Sequence, residues 1–455
     1  MADETLFVWL QGDHVATLER RRGVLRLAYT ETARNRWGLG YPLVSVSLPI
    51  ALRPHHGRVV ERFFDGLLPE GQLRRTLAYD FRIAETDTFG LLRELGRDCA
   101  GALVLTPEPA PPSSTTLGAA PVGDDEIAGR IENLPMFPLG ADDFVRVSLA
   151  GMQHKLLLVR TGRGWALPVG APSTHIVKPA IAQFPGSVEN EAFCMRLARH
   201  AGLRAATVDV ERFGGKSVLV VERFDRILLP GGGVRRMHQE DLVQALGIDA
   251  GRKYESSGGP SLRQVAKLLS DWRAPAAEVC DLLRTIAYVV AVGDADHHAK
   301  NITIVHGDDG AIGLAPLYDV MCTRSYPAVT VTPAMFVNGK RDIDRVHADD
   351  LIAEGTAWGL AEDVATSAVT GVLAALPEAI EATVRECAWS PVRQVDALRS
   401  RAGSLAAEVL PSSSPAASAG RSQAVAPLQH EAGTWVHPYL RDDGTPVRGH
   451  WRTIR

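Results

Sequence analysis

Between Gly293 and Asp319 the chain reads GDADHHAKNITIVHGDDGAIGLAPLYD, and this stretch restricts the fold more than any other. Ile302 to Val305 reads as one short strand, His306-Gly-Asp-Asp-Gly310 as a turn, and Ile312 to Leu317 as the returning strand. Asp296 is followed five residues later by Asn301, and a second carboxylate, Asp319, comes directly after the hairpin. A phosphoryl-transfer site needs one carboxylate near the attacking hydroxyl, together with oxygen ligands that hold Mg²⁺ on the nucleotide phosphates. Asp296, Asn301 and Asp319 are residues of those types. Alone, an Asp and an Asn at this spacing also describe a polar loop whose Asp caps a turn, so the upstream chain has to decide.

Composition narrows the classes. At 455 residues the length suggests two to three domains, and 22% charged with 45% hydrophobic residues is ordinary for a globular protein. A net charge of −4 argues against a chain that binds nucleic acid by itself. Cys99, Cys194, Cys280, Cys322 and Cys387 are scattered and never form a C-x-x-C pair, which fits reduced thiols rather than disulfides or a zinc site. No apolar run reaches membrane-spanning length and the start lacks the charge of a signal peptide, so no membrane contact and a cytoplasmic location are expected.

Taken in order, Leu6 to Leu10, Val24 to Ala28 and Val44 to Leu48 read as strands, Asp87 to Leu95 as a helix, and Ala102 to Leu105 as another strand. Residues 1–105 are expected to be a small α+β domain. Residues 106–123, dense in Pro, Ser, Thr and Ala, read as a linker. Residues 124–228 read as a β-rich region. Within it, Val145-Arg-Val-Ser-Leu-Ala-Gly-Met-Gln-His-Lys155 followed by Leu156 to Val159 reads as strand, tight loop and strand. Such a loop suits a hairpin, or a cradle for nucleotide phosphates with Lys155 nearby.

His175-Ile-Val-Lys-Pro179 puts Lys178 in a short strand, and Ser187 is expected to cap a helix from Val188 to about His200 with Glu189 and Glu191 in its first turn. Lysines in strands usually face water, and acidic residues in a first turn complement the helix dipole. The functional alternative is a lysine on phosphates, steadied by one of the glutamates. Lys216 to Arg226 is a buried-strand pattern that turns charged, either an edge strand or the connection between two lobes. After the Leu229-Pro-Gly-Gly-Gly233 loop, residues 229–409 look helical: Glu240 to Gly247, Ser261 to Asp271, Ala277 to Val292, and about Asp349 to Leu405. Residues 410–455 form a Ser-, Pro- and Ala-rich tail that looks disordered as far as Pro427, then regains aromatic residues at Trp435 to Tyr439 and Gly449 to Arg452.

The order of these signals is that of a bilobal protein kinase. On the segments SLAGMQHK (Ser148 to Lys155), HIVKP, ENE (Glu189 to Glu191), VERFDR (Val221 to Arg226), HQEDLVQALG, KYE (Lys253 to Glu255), DADHHAKN and LYDV, with FFDGLLPEG and GRDCAGAL upstream, the chain resembles HipA-type serine/threonine kinases over roughly residues 5 to 405.

That resemblance implies a bilobal protein-kinase-like α+β fold and an ATP- and Mg²⁺-dependent protein kinase, the toxin of a type II toxin–antitoxin pair. It implies restraint by a helix-turn-helix antitoxin that carries the DNA contacts, and a protein substrate such as an aminoacyl-tRNA synthetase. Carried onto this chain, Asp296 would be the catalytic base, and Asn301 and Asp319 the metal ligands. Ser148, Gly151, Gln153, Lys155, Lys178, Glu222, Phe224, Asp225, His298 and Lys300 would surround the nucleotide, and Ser148 would also be autophosphorylated. Met152 and His154 stand where that family's loop has a smaller and an acidic residue. Val320-Met321 follows Asp319 in place of Phe-Gly, so the activation-loop logic of eukaryotic kinases does not transfer. Two other readings are a catalytically idle co-repressor scaffold and a small-molecule kinase on a related fold.

Overall fold

The computed structural model describes residues 4–110, 119–134, 148–162, 164–229, 233–272, 274–387, 389 and 392–410, with four short strands between 433 and 453. The fold is α+β and kinase-like.

The first unit is a sheet packed on helices. Strands β1 (Glu4–Leu10), β2 (Asp13–Arg21), β3 (Val24–Tyr29), β4 (His55–His56) and β5 (Leu103–Thr106) lie in the order β4-β3-β2-β1-β5. Helices α1 (Glu31–Trp37), α2 (Arg58–Asp65), α3 (Gly71–Asp80) and α4 (Thr88–Leu95) accompany them, and Asp87 caps α4 by accepting from Gly90 N–H at 2.8 Å. Strand β2 escapes a sequence reading because its end, Glu19-Arg-Arg21, is charged. The expected strand at Val44 to Leu48 is instead irregular chain. Its alternation has another cause: Val44 and Leu48 enter the core of the first unit, while Val46 enters the core of the helical lobe.

A six-stranded antiparallel sheet follows, built from β6 (Ala119–Val122), β7 (Leu156–Thr161), β8 (Gly164–Pro168), β9 (His175–Pro179), β10 (Val208–Phe213) and β11 (Lys216–Glu222), in the order β10-β11-β9-β7-β8-β6. The last residues assigned to a linker are therefore the edge strand β6. The strand expected from Val145 falls largely on residues outside those described, and Ser148 to Ala150 are coil. Helix α5 (Asp124–Glu132) and helix α6 (Ser187–His200) pack on this sheet. Ser187 is not the cap of α6: Gly186 holds that place at φ 73°, and the Ser187 hydroxyl accepts from Ile181 N–H at 2.8 Å.

Strands β12 (Arg226–Leu228) and β13 (Val234–Arg236) form a hairpin around the Gly-rich loop, whose residues 230–232 lie outside the described set. The segment read as a helix from Glu240 begins as strand β14 (Gln239–Asp241), because it pairs with β15 (Thr303–His306), which pairs in turn with β16 (Ile312–Leu314). Helices α7 (Leu242–Ala245), α8 (Leu262–Asp271), α9 (Ala276–Val292), α10 (Ala348–Ala357), α11 (Glu362–Glu386) and α12 (Val392–Val409) complete the lobe. The apolar stripe of α9 is its core: Leu282, Leu283, Ile286 and Val290 are buried. Among the described residues one helix, α11, is long and apolar enough to cross a membrane, which corrects the expectation that no run reaches that length. Here its Val369, Val372, Leu373 and Leu376 are buried in the lobe core. In the tail, Gly433–Val436 pairs with His450–Thr453, while residues 411–432 lie outside those described.

Candidate active site

Strand alternation decides where Lys178 goes. Val177 packs into the apolar core on one face of β9, so Ile176 and Lys178 point to the other, which lines a cavity of about 1850 Å³ between the sheet and the helical lobe. On α6, Val188, Glu191 and Met195 line the same cavity at helical spacing. Lys178 Nζ lies 2.7 Å from Glu191 Oε1, and it also donates to Asp319 Oδ1. Glu191, not Glu189, is therefore the partner of the strand lysine. Burial pulls the Lys178 ammonium down, but Asp319 and Glu191 outweigh it and hold it above the ordinary lysine range. Burial likewise pushes Asp319 up, and Lys178 reverses that, keeping it below the usual carboxylate range. Glu191 absorbs the excess negative charge: burial, reinforced by Asp319, raises it to about 7.

Asp319 is delivered by an unusual backbone. Its φ is 59°, the left-handed region that a non-glycine residue rarely occupies, and such positions persist where the surroundings over-determine them. Leu317 N–H donates to Arg204 O at 2.8 Å and Leu317 O accepts from Ala206 N–H at 2.8 Å, pinning the segment just before it. Asp294 pins the segment just after, accepting from Asp296 N–H at 2.9 Å and from Met321 N–H at 3.4 Å. One buried carboxylate thus ties the Asp296 loop to the Asp319 segment. Tyr318 adds a second tie, its hydroxyl donating to Lys300 O at 2.7 Å.

Gly293, at φ 72°, ends α9 and turns the chain into the cavity. Asp296 is exposed there, and its Oδ1 accepts from the Tyr254 hydroxyl at 2.8 Å. Partial burial raises its pKa, with Tyr254 and then Lys253 opposing. Asn301 ends a short 3₁₀ turn and lines the same cavity. His298 stands edge-on to Tyr254 at 5.4 Å, and burial lowers it to about 3. It lines the cavity as a neutral ring rather than a cation. Lys300 is buried, 3.1 Å from Glu70 and 3.4 Å from Asp241.

Across the cavity, Gly151 sits at φ 113°, a backbone conformation that side-chain-bearing residues rarely adopt, so this turn needs glycine. Lys155 donates to Ala150 O at 2.7 Å, and burial together with Lys178 lowers it to about 8. Gln153 reaches Pro179 O at 3.4 Å. Ser148 is fully buried, with its hydroxyl donating to Leu67 O at 2.6 Å and its N–H to Asp98 O at 3.0 Å. At the far wall, Glu222 and Phe224 line the cavity, with the Phe224 ring 5.7 Å from that of Tyr318.

Asp225 lines the cavity too, and its carboxylate sits in a dense hydrogen-bond network. Its carboxylate accepts from Gly101 N–H at 2.8 Å, Arg223 at 2.8 Å, Arg226 at 2.7 Å and Gln239 at 3.0 Å. These bonds fall on Oδ2 and join the sheet to the first unit, while Oδ1 accepts from Arg223 Nε at 3.0 Å. Spacing also missed residues the fold brings to the site: Glu70, Tyr254, Lys253 and Asp294. Only their membership of the resembling segments singled out this neighbourhood.

Comparisons with known proteins agree with this geometry. Residues 147–380 match the family model of the HipA-like C-terminal domain, and residues 6–106 that of the HipA N-terminal domain. The chain is 40% identical over 361 residues to a putative kinase, Y4mE, of Sinorhizobium fredii, covering 77% of this chain and 84% of that protein. It is 32% identical over 335 residues to the serine/threonine-protein kinase toxin HipA of Shewanella oneidensis, covering 70% and 76%. A solved complex of Shewanella oneidensis MR-1 HipA and HipB with operator DNA contains a chain that superposes with a TM-score of 0.77 at 28% identity, over 89% of this chain and 96% of that one. With both domain models matched in sequence order and relatives aligned over most of their length, this chain belongs to the HipA family.

Proposed function

We propose that this chain is an ATP- and Mg²⁺-dependent serine/threonine protein kinase. The observation that carries the reading is the facing of Lys178, Glu191 and Asp319 toward Asp296 and Asn301 across one cavity between two lobes. Lys178 would neutralise the nucleotide phosphates, with Glu191 fixing its direction. Asp296, exposed and steadied by Tyr254, would orient the acceptor hydroxyl and take its proton. Backbone groups of Glu222 and Phe224, which line the cavity, would meet the adenine edge. Asp319, held ionised, and Asn301 offer the oxygen donors that suit Mg²⁺, which when bound would neutralise charge on the transferring phosphoryl group. Among the described residues no three His, Cys, Asp or Glu side chains cluster as a metal site, so such an ion would take its other ligands from phosphate and water.

Autophosphorylation of Ser148 fits the same reading as an off-switch. A phosphate adds nearly two negative charges, and Ser148 is enclosed with its hydroxyl committed to Leu67 O, so modification would expel the loop. The neighbouring HipA–HipB–operator complex supports a HipB-type helix-turn-helix antitoxin as partner, with DNA reached through that complex. An aminoacyl-tRNA synthetase as substrate and a cytoplasmic location follow from the family resemblance.

The test is incubation of the purified chain, and of Asp296→Asn, with labelled ATP, Mg²⁺ and a cell lysate. We expect label on protein serine or threonine, with Asp296→Asn slower by about 10² to 10⁴-fold and nucleotide affinity nearly unchanged. ATP consumed without protein labelling would favour a small-molecule kinase, and no transfer at all an idle scaffold; either rejects the reading.

A further inference from the structure

Glu70 reaches the cavity from outside the two lobes. It ends the Leu67-Leu-Pro-Glu70 turn of the first unit, directly before α3, and its side chain joins the cavity lining. The carboxylate lies 3.1 Å from Lys300 Nζ and 3.4 Å from Lys253 Nζ. Its own N–H donates to Gly151 O at 3.2 Å, so a single residue touches the glycine loop and the loop that carries Asn301. The Glu70 Oε1 and Lys300 Nζ atoms are enclosed, and they face each other without an aligned hydrogen bond. The lysine is therefore held by the charges of Glu70 and, at 3.4 Å, Asp241 rather than locked by aligned hydrogen bonds. Asp225 shows the contrast, since every cation beside it is locked by direct hydrogen bonds.

We propose that Glu70 is a positioning residue of the phosphate site, lent by the first unit, which fixes Lys300 and Lys253 for phosphate transfer at the expense of ground-state nucleotide affinity. The proposal rests on the nucleotide-site reading above. The sign follows from electrostatics: a carboxylate beside two ammonium groups weakens their attraction for phosphate, so it earns its place only by improving their geometry at the transition state. The first unit would then be part of the kinase site, and a partner that shifts it would change turnover without entering the cavity.

The experiment titrates Mg·ATP into the full-length parent, Glu70→Gln, Glu70→Asp, Lys300→Ala and the Glu70→Gln/Lys300→Ala double variant by calorimetry. Transfer of labelled phosphate to the chain itself or to casein is followed in the same preparations. Glu70→Gln should bind Mg·ATP about threefold tighter yet transfer phosphate about tenfold more slowly, with Glu70→Asp between it and the parent. The gain in affinity should vanish once Lys300 is alanine. A purely structural role would lower the competent fraction and leave the dissociation constant alone. Unchanged affinity, or an equal change with and without Lys300, overturns the proposal. A parent that binds Mg·ATP but transfers nothing sinks the kinase reading, and the affinity cycle still decides the part played by Glu70.

Discussion

Two buried ionic clusters, one at the junction with the first unit and one in the cavity, are built in opposite ways. At the junction with the first unit, Arg223, Arg226, Asp98 and Asp225 are almost wholly enclosed, and Ser173, Gly101 and the Cys99 carbonyl supply most of their remaining hydrogen bonds, Arg226 Nε excepted. In the cavity, Lys178 is gripped by two carboxylates, but Asp319 is over a third exposed and Asp296 and Asn301 look into the same space. A closed cluster holds domains together; one with open acceptors facing a cavity has donors and acceptors left over, as the proposed nucleotide site requires. Both began as charged residues in or beside strands, and only saturation tells them apart.

The largest effect should come from breaking the closed cluster. Asp225→Ala leaves Arg223 and Arg226 without their central acceptor, a loss of about 3–5 kcal/mol. Chemical denaturation should show it as a lower midpoint, with Mg·ATP affinity of the folded fraction unchanged. A stable Asp225→Ala variant that has lost nucleotide would reverse the roles assigned to the two clusters.

Next comes Lys178→Met in the open cluster. Phosphate transfer should fall by about 10² to 10³-fold, as for loss of one preorganised electrostatic donor. Stability should change little, because Glu191, already raised to about 7, readily takes a proton once its partner is gone. Steady-state rates beside a melting curve check both halves.

The smallest effect is a pH dependence of the junction. Arg226, Arg236 and Arg223 overcome burial and hold Asp98 at about 2, below its ordinary 3.8. A carboxyl lowered in this way stabilises the fold above its unfolded pKa, and that contribution, ~2 kcal/mol, disappears as pH falls from about 4 through 2. The Asp98→Asn variant should accordingly show a shallower loss of stability over that window in pH-dependent denaturation. Equal slopes would remove Asp98 from the account.

The sequence made the hairpin from Thr303 to Leu314 legible, since alternating apolar residues flank a Gly-Asp-Asp-Gly turn, and the stripe of α9 was equally plain. Lys178 could be placed in a strand, but which way it faced depended on the helix packed above it. The same ignorance of partners turned Gln239–Asp241 into a helix, because its pairing strand lies more than sixty residues downstream. It turned Val44 to Leu48 into a strand, because one irregular segment serves two cores. Glu70 and Tyr254 carry no spacing signal of their own, since each reaches the site from an element far away in sequence. The network around Asp225 was hidden because charge at a hinge reads alike whether or not it is paired.

A crystal structure of the full chain with Mg²⁺ and a non-hydrolysable ATP analogue tests the contrast between the clusters most directly. The account predicts phosphates between Lys178 and Asp319, metal on Asp319 and Asn301, adenine against the Glu222–Phe224 backbone, and an unchanged network around Asp225. Phosphates bound away from Lys178, or a nucleotide that opens the Arg223–Asp225–Arg226 cluster instead, would contradict it.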